Sequence, residues 1–61
     1  MTPADMLKLA EERDAWCIAH QKVADACRAN GDETAAGYVE ARIEIRRKEA
    51  AHWRARAEEK T

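Results

Sequence analysis

The residues with the richest chemistry in this chain are a thiol and an imidazole spaced for one face of a helix, Cys17-x-x-His20. One turn apart, they are compatible with half of a zinc site, and a twofold dimer could supply the other half. Structural zinc sites usually declare four ligands in sequence, and a histidine inside an apolar seam is expected to be a hydrogen-bonded core residue. No metal and no cofactor are therefore expected. Catalysis has little to work with. The chain has no serine, and its second histidine, His52, falls about 15 Å from His20 in the register of an antiparallel hairpin. No glycine-rich phosphate loop and no acid–histidine pairing is present. The chain reads as a non-enzyme.

Charge offers a second chemistry. Residues 42 to 56 hold Arg42, Arg46, Arg47, Lys48, Arg54 and Arg56 against Glu44 and Glu49, a local balance of +4. Tyr38 and Trp53 could stack bases beside them. The competing expectation is internal neutralisation. Residues 5 to 14 are acidic, with Asp5, Glu11, Glu12 and Asp14 against Lys8 and Arg13, and a hairpin sets the two stretches side by side. Asp5 with Arg56 is the best-placed cross-helix pair, and Arg46 is expected to lie on Trp16. That leaves Arg42, Arg47, Lys48 and Arg54 for a nucleic acid, the less favoured alternative.

The elements that must position these groups are two long helices. Asn30-Gly31-Asp32 is the one strong break between them: Gly31 supplies a left-handed helix end and Asp32 caps the second helix. Thr2-Pro3-Ala4-Asp5 opens the first helix with a capping box and a proline at the first helical position. The expected organisation is a single domain over 1–61, with helix 1 about 3–29, a turn at 30–32 and helix 2 about 33–59.

Apolar spacing fixes an expected seam. Helix 1 reads Met6, Leu9, (Arg13), Trp16, His20, Val23, Cys27, and helix 2 reads Ala36, Val39, Ile43, Arg46, Ala50, Trp53, Ala57. Each is a run of 3, 4, 3, 4, 3, 4. Reflected about the turn, the two runs meet in register: Val23 with Val39, Trp16 with Arg46, Leu9 with Trp53. Every pair of residue numbers sums to 62 or 63. Trp16 and Trp53 are thus expected in the core rather than at a membrane surface.

The same spacing leaves a second set of residues off the seam. Ala10, Cys17 and Ala24 form a small-residue flank suited to close packing with a second hairpin. Leu7, Ile18, Tyr38, Ile45 and His52 complete the candidate oligomer or partner surface. Cys17 and Cys27 lie about 15 Å apart along one helix, too far to bridge each other.

Composition points the same way. In 61 residues the apolar share is 46%, yet fourteen of those twenty-eight residues are alanine. So small a core falls short of what a lone domain of this length needs, and burial against another copy is expected. A formal net charge of −1 draws the chain to neither nucleic acid nor membrane as a whole. No apolar run is long enough to span a bilayer and the first residues lack the pattern of a signal peptide, so a cytoplasmic, reducing environment is the default.

The segment from Ala26 through Gly31-Asp32 to Ala36, Val39 and Ile43 resembles the turn between the paired helices of a tetratricopeptide repeat. The Gly-Asp and the alanine four residues later match it. Val39 stands where the repeat has an aromatic, the helices are longer, and there is only one unit. In length and shape the hairpin is also similar to the Rop-type RNA-binding dimer of hairpins, an architectural likeness that no motif carries. The expected fold is an all-α antiparallel two-helix hairpin, coiled-coil-like and dimerising into a four-helix bundle. The expected function is a small protein-interaction module, adaptor or inhibitor, with a Rop-like nucleic-acid regulator as the alternative.

Overall fold

Two helices account for nearly the whole chain in the computed structural model, which describes residues 1–59: α1 over Pro3–Ala29 and α2 over Glu33–Glu59. Residues 60 and 61, the last two of the expected domain, lie outside the described residues. The helices pack antiparallel in a rod of 46 × 14 × 12 Å. No helix among the described residues is long and apolar enough to cross a membrane.

Local chemistry sets both ends of α1. The Thr2 hydroxyl accepts from the Asp5 amide at 3.1 Å, and the Asp5 carboxylate accepts from the Thr2 amide at 3.2 Å. Two amides that a helix start leaves without partners are satisfied reciprocally. The hydrogen bonds from Thr2 hold the Asp5 carboxyl below the usual carboxylate range. At the other end Gly31 adopts φ +78°, the conformation that costs a side-chain-bearing residue most. The Asp32 amide then donates to the Cys27 carbonyl at 2.9 Å and the Gly31 amide to the Arg28 carbonyl at 3.0 Å. These two bonds are a Schellman closure, and the Asp32 carboxylate in turn accepts from the Ala35 amide at 3.0 Å to start α2. The reversal takes three residues.

The other glycine has no such role. Gly37 has an ordinary negative φ, and a Cβ built on it meets nothing within 4 Å. Gly37→Ala is expected to stabilise the protein by about 0.5–1 kcal/mol, raising the melting temperature by about 2–8 °C. A lowered melting temperature would mean that another chain packs against this position.

The interior is narrower than the spacing of large apolar residues implied. The buried side chains are Met6, Ala10, Cys17 and Ala24 from α1, with Ala36, Ile43, Ala50 and Ala57 from α2. The Cys17 thiol donates to the Ile43 carbonyl at 3.5 Å, which places these two residues opposite each other. One heptad either way, Ala10 comes opposite Ala50 and Ala24 opposite Ala36. Ala10, Ala24 and Ala36 are 0% exposed.

This corrects two expectations. Ala10, Cys17 and Ala24, assigned to a face open to a second hairpin, lie instead inside this one. Val23, assigned to the seam, is 47% exposed, and Leu9, Trp16, Val39, Arg46 and Trp53 are only half-buried beside it. His20 and Cys27 are half-buried as well. Both helices are rolled toward their alanines. The physical reason is thickness: alanine against alanine lets the backbones approach closely, whereas an indole between two helices would hold them apart. The indoles lie along the edge instead.

A candidate partner-binding face

The roll gives the hairpin two unlike flanks. One is closed by ion pairs. The Arg28 guanidinium donates to both Glu40 oxygens at 3.0 and 2.6 Å and to Glu33 at 3.1 Å, and Arg54 pairs with Asp14. The hydrogen bonds from Arg28 hold the Glu40 carboxyl below its ordinary range, and those acceptors raise the Arg28 guanidinium in turn. Asp14 and Arg28 are two heptads apart on α1, as are Glu40 and Arg54 on α2, so these pairs line one side of the rod.

The other flank is open and apolar. It carries Leu9, Trp16 and Val23 from α1 beside Val39, Arg46 and Trp53 from α2. At its centre Trp16 stacks on His20, with ring centroids 3.6 Å apart and planes 14° from parallel. The His20 Nδ1–H donates to the Trp16 carbonyl at 2.9 Å, which holds the ring against the helix. The Arg46 guanidinium lies 5.2 Å from the centre of the Trp16 ring, the contact expected from the register. It also donates to the Glu49 carboxylate at 2.8 Å. Arg13 places its Nε 3.7 Å from that same carboxylate. This Nε is buried and makes no hydrogen bond, while its Nη1 donates to the Leu9 carbonyl at 3.2 Å. The hydrogen bond from Arg46, then the charges of Arg46 and Arg13, hold the Glu49 carboxyl below its ordinary range.

Two shallow grooves flank Ile45 where this face turns onto the outside of α2. Tyr38, Ala41, Arg42, Ile45 and Arg46 line one; Arg13, Ile45, Lys48, Glu49, His52 and Trp53 line the other. Tyr38 is 67% exposed and Ile45 57%. His52 meets the Trp53 ring edge-on at 5.1 Å. Tyr38, Ile45 and His52 therefore border the open face. Leu7 and Ile18 do not: Leu7 is one heptad before Asp14 and Ile18 one turn after it, so both lie toward the ion-paired flank.

No family model, curated protein or solved structure matches this chain. What the molecule can do has to be read from its surfaces.

The four cations considered for nucleic acid do not form a stripe. Arg47 and Arg54 sit on the ion-paired flank, where Arg54 holds Asp14 and Arg47 approaches Glu44 at 3.6 Å. Arg42 is on the opposite flank, its guanidinium 5.8 Å from the Tyr38 ring centre, and Lys48 is on the outside. The expected Asp5–Arg56 pair is replaced by local contacts: Asp5 serves the capping box, and Arg56 approaches Glu59 at 4.0 Å. Cys17 and His20 likewise diverge, the thiol into the interior and the imidazole onto Trp16. Among the described residues no three His, Cys, Asp or Glu side chains are grouped to hold a metal ion.

Two features escaped the sequence reasoning. The Arg28–Glu40 and Arg54–Asp14 pairs had a signal, opposite charges two heptads apart on each helix, which becomes readable only once the flank is known. The α1 half of the alanine interior had one too. Small residues recur every seven positions at Ala10, Cys17 and Ala24, but the larger Leu9, Trp16 and Val23 beside them drew the seam, whereas on α2 the expected seam already held the buried Ala36, Ile43, Ala50 and Ala57.

Proposed function

We propose that this protein is a small non-catalytic interaction module, an adaptor or inhibitor of a partner protein, that works as a homo-oligomeric helical hairpin. The simplest assembly is a twofold dimer closing into a four-helix bundle. One observation carries the reading: apart from Met6 and Ile43, the bulky apolar groups lie outside the hairpin's own interior. Among the described residues five of the eight buried ones are alanine, and no large side chain is completely buried. Trp16 and Trp53 are only half-buried, in line with Leu9, Val23 and Val39. A lone 61-residue chain of this kind has too little buried apolar area to offset the entropy of ordering two 27-residue helices. A second layer over the open face supplies that area. The outer ridge of Tyr38, Ile45 and His52 then remains for the partner protein, met as a helix face.

Nucleic-acid regulation is the weaker reading, because its four cations are divided among three sides of α2 and two of them approach carboxylates of the chain itself. Light scattering or sedimentation at micromolar concentration tests the favoured one. The expected mass is twice the 6.9 kDa of the chain. A monomeric mass with a sharp thermal melt would overturn it.

A further inference from the structure

We propose that the open face is covered by a second copy of this chain, with a twofold axis crossing the hairpin at Trp16 and Arg46 and the two turns at opposite ends. This arrangement rests on the self-association proposed above and adds its face, axis and direction.

A twofold interface needs a surface complementary to itself when reversed. On the open side of α2, Arg42 and Glu49 lie one heptad apart and straddle Arg46. Reversal about Arg46 brings Arg42 of each copy opposite Glu49 of the other, so the attractive pair forms twice. On the outer edge of α1 a single heptad position reads Asp5, Glu12, Ala19, Ala26. Reversal about Trp16 sets the acidic half against the alanine half, and no like charges meet. The apolar positions follow suit: Leu9 meets Val23, and Trp53 meets Val39, a larger group against a smaller one. Arg46 falls on the axis, but each copy brings it already bonded to Glu49 at 2.8 Å and lying over Trp16. Two ion-paired guanidiniums on indoles meet there rather than two bare charges.

The opposite direction fits poorly. With both turns at one end, α1 of each copy runs beside α2 of the other in the register of the hairpin itself. Glu12 then faces Glu49, and Arg42 faces Ala19. Charge complementarity selects the reversed arrangement.

Spin labels near the turn decide between the two. In Thr34→Cys, with Cys17→Ala and Cys27→Ala removing the native thiols, pulsed dipolar spectroscopy on a sample of unchanged helicity is expected to give an inter-label distance near the length of a helix, about 40 Å. About 20 Å or less would overturn the direction while leaving the dimer standing. No dipolar modulation would overturn self-association itself, and this arrangement with it. Arg42→Glu in the otherwise native chain needs no label. It is expected to weaken the dimer about tenfold by facing Glu49 of the second copy, and an unchanged dissociation constant would overturn the proposal even if the labelled variant fails to fold.

Discussion

Ile43→Ala is expected to abolish the cooperative thermal melt of this protein at low micromolar concentration. Ile43 is 3% exposed and is the largest buried side chain of α2. It lies opposite Cys17, flanked one heptad away on each side by alanine pairs. Truncating a buried isoleucine to alanine costs about 2–5 kcal/mol, with the larger values where the surroundings cannot close the gap. Here they cannot, because alanine side chains have no rotamers with which to fill space, and the paired backbones at Ala10/Ala50 and Ala24/Ala36 already set the helix separation. A core in a chain this short rarely supplies more than about 3–5 kcal/mol, so the loss is comparable with all that it can contribute. Ile43→Val, at about 0.5–1.5 kcal/mol, should melt cooperatively at a lower temperature. Circular dichroism at 222 nm reads both. A melting temperature within a few degrees of the parent for Ile43→Ala would mean that the hairpin interior contributes little and that stability resides elsewhere.

The hairpin was legible in the sequence because its signals are local. Thr2 with Asp5, Gly31 and Asp32 each act within three or four residues, and two matching heptads leave little choice of partner. On α2 the expected seam held the buried Ala36, Ile43, Ala50 and Ala57, but which strip of the α1 heptad faces inward was not legible, since that is settled between helices. Alanines at positions 10, 24, 36 and 50 and larger groups at 9, 16, 23, 39 and 53 sit side by side at the same period. Ranking by size put Leu9, Trp16 and Val23 inside. Between only two helices, however, the interior is a single file of side chains, and close approach over alanine excludes an indole. In a four-helix bundle the same residues would point toward the common axis. In the proposed dimer the two strips answer to two layers of packing: alanine within a hairpin, tryptophan, leucine and valine between hairpins. The candidate face could not be located until the first layer was known.

That division gives the tryptophans a different expected behaviour from Ile43. Trp53→Ala is expected to raise the dimer dissociation constant about 30- to 100-fold, in the range of an aromatic interface anchor, while changing the helicity of the dissociated chain little. Trp16→Ala should do the same with an added loss inside the chain, because its ring also stacks on His20 and lies under Arg46. The discriminating measurement is the dependence of the melt on protein concentration. An indole that packs only within its own hairpin costs the same stability at every concentration. One that packs between hairpins costs most where the parent is dimeric and least where it is dissociated. The chain has two tryptophans, so in each single variant the remaining one reports alone. Its emission should shift to the blue as concentration drives association and burial. If Trp53→Ala lowers the melting temperature equally at all concentrations, and the emission of Trp16 does not move, the open face is not an interface. Trp53→Phe separates size from the indole: it keeps most of the apolar ring, so an anchor that acts by burial should retain most of its affinity.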